Sequence, residues 1–269
     1  KSAGFPFIPP ELRDNHLEWK LTEEKQWDQL LDITDIKGIV HTHTTYSDGT
    51  NTLEELATYC KVQGYEYLVV SDHSKSAFYA NGMTEEAIAR QQEEIGRLNK
   101  KLAPFRIFKS VESDILSNGE LDYSDDILSS FDLVIASVHS GLKMTEEKAM
   151  QRLMKAIENP YTTILGHPTG RLLLSREGYP VDHWKIIDAC AANGVCIELN
   201  ANPYRLDIDY QWIAYCQEKG VYVSVNPDAH HIHGIHDIRY GVYAARKGGL
   251  LKSGTLNALS LTDFEKYLN

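Results

Sequence analysis

Six of the eleven histidines stand where a short apolar run gives way to a polar loop: His41, His43, His73, His139, His167 and His230. Asp72, Glu112, Glu198 and Asp228 occupy the same kind of position. Neutral imidazoles and carboxylates are what intermediate divalent cations take as ligands, and a mixed set suits Zn, Mn or Fe alike. A single such histidine is more often a satisfied core or loop residue. Six in one topological position point together to metal chemistry. A two-residue spacing, as in His41-Thr-His43, sends both side chains to the same side of an extended strand, so one ion can receive both rings. Asp228-Ala-His230 repeats that spacing near the other end of the chain.

Such residues need a scaffold that gathers distant segments at one face. After Gly38, short β-rich runs alternate with helical segments, which predicts a parallel sheet wound by crossover helices. The expected strands are Ile39–His43, Tyr67–His73, Arg106–Ile115, Leu133–His139, Thr163–His167, Val195–Ala201 and Val221–Val225. Between them, Thr52-Leu-Glu-Glu55 is a capping box, Thr84 and Thr145 are N-caps followed by acids, and Gly64, Gly194 and Gly220 mark helix ends. In a parallel barrel the C-terminal strand ends converge on one mouth, where active sites are built. Residues 1 to 37, with Pro6, Pro9 and Pro10 and a weak apolar period, are expected to form an arm or linker, and residues 38 to 269 the catalytic domain.

At 269 residues the chain fits one such domain, and 42% hydrophobic with 24% charged residues is an ordinary globular balance. It starts at Lys1 without an initiating Met, as expected of a fragment or a trimmed chain. No stretch reaches the length of a membrane span, and the N-terminus lacks the apolar core of a signal peptide. Cys60, Cys190, Cys196 and Cys216 form no CxxC pair and are expected to be buried thiols of a reducing, cytoplasmic setting. The net charge of −11 argues against a general electrostatic grip on nucleic acid. Among the remaining histidines, His16 and His183 are expected to be solvated, and His231, His233 and His236 to crowd the loop after the seventh strand.

The ordered set His41-Thr-His43, Ser47-Asp48-Gly49, Ser71-Asp72-His73, Glu112, Ser137-Val-His139, Gly166-His167-Pro168 and Asp228-Ala-His230 resembles the PHP (polymerase and histidinol phosphatase) superfamily across nearly the whole chain. Within it, Pro6-Phe-Ile-Pro-Pro-Glu-Leu-Arg13, Asp72-His-Ser-Lys75, Gly166-His-Pro-Thr-Gly-Arg171 and Asn200-Ala-Asn-Pro-Tyr-Arg205 are similar to the C-terminal PHP domain of bacterial family X DNA polymerases. The resemblance implies a distorted (β/α)7 barrel with three divalent cations, Mn being the expected activating ion. It implies one cation held by His41, His43, Glu112 and Asp228, a second by Glu112, His139 and His167, and a third by Asp48, His73 and His230.

The implied reaction is attack of a deprotonated water on phosphorus, with Glu112 holding two cations together and the third relieving charge on a non-bridging oxygen. Glu112 and His73 are thus expected at the reaction centre, with Asp72 orienting the His73 ring. Lys75, Arg171 and Arg205 are the candidates to clamp phosphate, and Tyr46, Tyr79 and Tyr204 are possible stacking surfaces, although loop aromatics more often pack. The substrate implied is a phosphate ester, foremost a DNA 3′ end trimmed by a 3′–5′ exonuclease, with the chain either the PHP portion of a longer polymerase or a stand-alone relative. The alternatives are a small-molecule phosphomonoesterase of the histidinol phosphatase type and a non-catalytic module supporting a polymerase. An amidohydrolase barrel also opens with HxH, but Glu112 in the third strand and the closing Asp-Ala-His fit PHP better.

Overall fold

Seven parallel strands, hydrogen-bonded to one another in chain order, form the sheet of a computed structural model that describes residues 7–13 and 17–269. They are β1 (Gly38–Thr42), β2 (Tyr67–Val70), β3 (Arg106–Asp114), β4 (Leu133–Ser137), β5 (Thr162–Leu165), β6 (Cys196–Asn200) and β7 (Val223–Asn226). All seven expected strands are present. Several stop sooner than the apolar runs suggest, so that His73, His139 and His167 lie just beyond their strands and not within them.

The helices are α1 (Glu18–Glu23), α2 (Leu53–Val62), α3 (Glu85–Leu102), α4 (Asp125–Leu128), α5 (Glu146–Ile157), α6 (His183–Asn193), α7 (Ile213–Glu218), α8 (Ile238–Lys247) and α9 (Leu261–Leu268). Their starts follow the sequence signals. Thr52 accepts from the Glu55 amide while the Glu55 carboxylate accepts from the Thr52 amide, which satisfies two otherwise orphaned donors of α2. Thr84 and Thr145 cap α3 and α5 in the simpler way. At Gly194 the chain leaves α6 with φ of 68°, a left-handed turn that glycine takes without steric penalty.

Closure of the ring comes from both ends of the β1–β7 seam. At the upper end the His43 amide donates to the Ala229 carbonyl at 2.9 Å. At the lower end Asn257 stitches the seam: its amide group donates to the carbonyls of Val225 and Gly38, and its side-chain oxygen accepts from the Val225 amide. Two apolar layers result. One lies between the strands and the outer helices, and the other fills the lower barrel with Val40, Tyr67, Phe108, Ile135, Ile164, Leu256 and Phe264. The last helix, α9, supplies Phe264, whose ring stacks on Tyr67 with centroids 4.5 Å apart.

The described part of the arm lies against the barrel. Leu12, Leu21 and Leu30 pack together, Arg246 pairs with Glu11 at 2.9 Å, and the Leu31 amide donates to the Leu250 carbonyl. Pro6 and His16 lie outside the described residues. His183 is not simply solvated: its ring lies flat on Trp212 at 4.5 Å. The four thiols are all buried. Among the described residues no helix is long and apolar enough to cross a membrane.

Candidate metal centre

Glu112, near the end of β3 and 1% exposed, lies at the middle of the upper barrel with imidazoles on all sides. Its Oε1 is 2.9 Å from His167 Nε2, 3.1 Å from His139 Nε2 and 3.3 Å from His41 Nε2. Its Oε2 is 2.9 Å from His73 Nδ1 and 3.7 Å from His43 Nε2. Asp228 closes one side, with Oδ1 at 3.2 Å from His43 Nε2 and 3.7 Å from His41 Nε2. On the solvent side Asp48 lies 3.4 Å from His230 and 3.6 Å from His73. The nine residues expected from the sequence are therefore in one place.

Among the described residues, three overlapping groups each have ligand atoms within 4.8 Å of one another: His41, His43 and Asp228; His73, Glu112 and His139; and His43, Asp48, His73 and His230. The grouping differs in detail from the expected one. His43 is within reach of two groups, because its ring stacks on both His73 and His230 at 4.4 and 4.1 Å. His73 joins the Glu112 group as well, and His167 reaches that group through Glu112 and an edge contact with the His139 ring.

The backbone brings these side chains inward at a cost. His41, His167 and Asp228 adopt φ of 64°, 24° and 51°, a region that side chains rarely occupy. Each such residue costs on the order of 1–3 kcal/mol and persists where the surroundings over-determine it, typically at functional sites. The β1 register shifts between Ile39 and Thr42, so His41 lies in a bulge. The two-residue spacing of His41 and His43 therefore works through a kinked strand, and not through the regular alternation from which it was predicted.

A second layer of carboxylates aims the rings. His41 Nδ1 is 2.5 Å from Glu198 Oε1, and Glu198 is itself held by Asn226, Asn200 and the His167 amide. His139 Nδ1 meets Asp114 in the same way, at 2.5 Å. A metal-binding histidine usually donates its other N–H to a carboxylate, which fixes the tautomer and raises the basicity of the ligand. Glu198 was visible in the sequence only as another acid at a strand end, and Asp114 was missed. The signal for it was the Glu112-Ser-Asp114 spacing, which puts both acids on one face of β3.

The electrostatics fit a cation. Burial alone would lower the His41 pKa, but Glu198, Glu112 and Asp228 overrule it and hold it well above its ordinary value. Burial likewise opposes His139, which Glu112 and Asp114 bring up to about 10, and His230, which Asp48 and Asp228 bring up to about 9. His43 is pushed down to about 3 by burial and by the neighbouring His73 charge. Glu112 is held well below the carboxylate range, against its own burial, chiefly by His139, His41 and His73. These carboxylates demand positive charge in a buried space, a demand that bound divalent ions meet. Among the described residues, His41 Nε2, His43 Nδ1, His73 Nδ1, His167 Nδ1 and Glu112 Oε2 are buried without a hydrogen-bond partner. Buried polar atoms are normally paired, so such a cluster of orphans suits metal coordination.

Two expected roles, those of Asp72 and Arg171, require correction. Asp72 does not orient His73; it accepts from the Thr44 amide and hydroxyl, the Ser47 hydroxyl and the Gln91 amide group, and so pins the loop after β1. Neighbouring residues of an extended chain point in opposite directions, which is why only one of the pair reaches the centre. Arg171 is spent on the carbonyls of Arg205 and Leu206 and on Asp209, so its fork ties down the loop after β6. Lys75 lies over the Tyr123 ring and 3.9 Å from Glu85. Arg205 is the expected cation that does reach the centre, with Nε 3.7 Å from Asp228. His231 caps a turn by accepting from the Gly234 amide, and His236 bonds the Tyr59 hydroxyl. Tyr46 bonds Glu94, whereas Tyr79 stands at the rim with its ring 6.1 Å from His73 and 6.4 Å from His139.

No family model matches the chain. Over 265 residues, 98% of its length, it is 42% identical to the DNA polymerase/3′-5′ exonuclease PolX of Bacillus subtilis, and it spans 46% of that relative. It is 26% identical over 228 residues to a probable phosphatase of Thermoanaerobacter sp., an alignment covering 81% of this chain and 88% of the relative. A histidinol phosphate phosphatase from Lactococcus lactis, solved with zinc, L-histidinol and phosphate, has the same fold: the TM-score is 0.57 at 18% identity, covering 77% of this chain and 92% of that one.

Proposed function

The chain belongs to the PHP superfamily and is a metal-dependent phosphoesterase of that type, and from that premise we propose that it hydrolyses phosphodiester bonds at the 3′ ends of DNA. The observation that carries the reading is Glu112, a fully buried carboxylate within 3.3 Å of four imidazoles with its Oε2 lacking a hydrogen-bond partner. A carboxylate so placed would help hold divalent cations at this centre.

In this reading His41, His43, Glu112 and Asp228 would hold one divalent ion, Glu112, His139 and His167 a second, and Asp48, His73 and His230 a third, with Zn, Mn or Fe as candidates and Mn as the activating ion. Such ions supply water acidified to near-neutral pKa and Lewis acidity at the phosphate oxygens. Glu198 and Asp114 hold the Nδ1 protons of His41 and His139, so that each ring presents Nε2 to the centre. Arg205, with its Nε 3.7 Å from Asp228, would bind a non-bridging phosphate oxygen. Arg171 keeps Arg205 there by gripping its carbonyl.

The 3′-end reading draws on the printed name of the Bacillus relative, in which a polymerase and an exonuclease occur together. By the same likeness we place this chain beside a polymerase in a longer protein. A second reading, a phosphomonoesterase, is favoured by the probable phosphatase, because the chain spans nearly all of that relative and only about half of the other. Release of nucleotides from 3′-labelled single-stranded DNA, compared with phosphate release from histidinol phosphate under the same Mn²⁺ concentration, separates them. Nucleotide release at the higher kcat/KM supports the diesterase; phosphate release alone replaces it with the monoesterase.

A further inference from the structure

We propose that Tyr79 sets substrate specificity by stacking on the nucleobase of the terminal nucleotide, so that the chain reads one unpaired end residue and not a length of DNA backbone. The inference rests on the 3′-end reading and deepens it.

Tyr79 belongs to a 3-10 turn, Phe78–Ala80, between β2 and α3. Its ring faces His73 and His139 edge-on, yet the residue remains 70% exposed, and Phe78 beside it is 87% exposed. The turn beneath these rings is firmly held. Ala77 and Ala80 are fully buried, the Ser76 amide donates to Asp122, the Lys75 amide to the Tyr123 hydroxyl, and the Met83 amide to the His73 carbonyl. Gly82 lets the chain return so closely that a Cβ there would lie 1.9 Å from the Ser74 carbonyl oxygen. An exposed aromatic ring on an anchored turn, beside the ligands of a candidate metal centre, is a preformed platform with low ordering cost on binding.

Charge decides what the platform is for. The chain carries −11, and near the mouth Lys75 is turned to Tyr123 and Glu85, while Arg171 and Arg176 are committed to carbonyls and Asp209. Arg205 alone of the candidate cations faces the centre, so these side chains offer little neutralisation of a run of phosphates. Stacking of a base on an aromatic ring needs no such charge and tolerates any base. It requires the base to be unpaired and unstacked, which is a property of a single-stranded end.

The test uses 5′-labelled oligothymidylate with a normal 3′ nucleotide and the same oligomer ending in an abasic residue, with Mn²⁺, on the wild type, Tyr79→Ala and Tyr79→Phe. The ratio of kcat/KM for the base-bearing over the abasic end is expected to fall about 5- to 150-fold in Tyr79→Ala, the range of one base-aromatic stack, and to be kept in Tyr79→Phe. An unchanged ratio in Tyr79→Ala, or an equal loss in Tyr79→Phe, overturns the proposal, the second result assigning the effect to the hydroxyl. Wild type that trims both ends equally well refutes the stacking alone. Wild type that hydrolyses bis(p-nitrophenyl) phosphate but neither oligomer refutes the 3′-end reading, and the stacking with it.

Discussion

Glu198 on β6 and His41 in the β1 bulge, 157 residues apart in sequence, meet with 2.5 Å between carboxylate oxygen and Nδ1. Because the carboxylate accepts there, the ring's Nε2 is left to face Glu112 and Asp228. Glu198 also accepts from the His167 amide. One carboxylate thus positions two of the expected ligands from opposite sides of the barrel.

Replacing Glu198 by Gln should keep the fold and loosen that geometry. The expected loss is about 10- to 100-fold in metal affinity or in kcat/KM, the range for removing a carboxylate that supports a metal-binding histidine. Titration of apo-protein with Mn²⁺ and steady-state hydrolysis measure the two. Wild-type values for both would deny Glu198 any positioning role.

The two arginines should separate cleanly. Arg171→Ala removes a guanidinium bonded to two carbonyls and one carboxylate, so thermal unfolding should show a loss of about 2 kcal/mol. Arg205→Ala should leave the melting temperature nearly unchanged and lower kcat/KM by about 10- to 100-fold, as for loss of a charged hydrogen bond to substrate. The opposite pattern would return phosphate binding to Arg171.

Phe264 is fully buried, stacks on Tyr67 and plugs the barrel opposite the metal centre. Phe264→Ala should cost about 3–5 kcal/mol in urea unfolding, since neighbours fixed in strands cannot collapse into the space. A cost under about 1 kcal/mol would mean that α9 is not part of the core.

All four thiols are buried, and burial raises each of them: Cys216 is pushed up to about 12, and Cys60, Cys190 and Cys196 higher still. Since the thiolate is the reactive species, a disulfide reagent at neutral pH should label none in the folded protein and four after denaturation. Rapid labelling of the native protein would contradict the buried placement.

The strand order and the six histidines at strand ends were legible because βα alternation and apolar runs are local signals that the fold preserves. The β1 bulge was not, since left-handed φ at His41 is imposed by Ala229 and the ring of ligands and not by neighbours in sequence. Asp72 beside His73 was misread by adjacency, although alternation along an extended chain forbids both from facing one site. The same alternation, applied to Glu112-Ser-Asp114, would have found the partner of His139. The fate of Arg171 was beyond local reading, because its acceptors are carbonyls and a carboxylate about 35 residues away.

The most direct test of the account is elemental analysis of the purified chain coupled to hydrolysis of bis(p-nitrophenyl) phosphate before chelation, after it, and after addition of Mn²⁺. The account predicts bound divalent metal, activity lost on chelation and restored by Mn²⁺, and neither metal nor activity in Glu112→Gln. A chain that takes up no divalent cation and hydrolyses neither this diester nor p-nitrophenyl phosphate after reconstitution would contradict it.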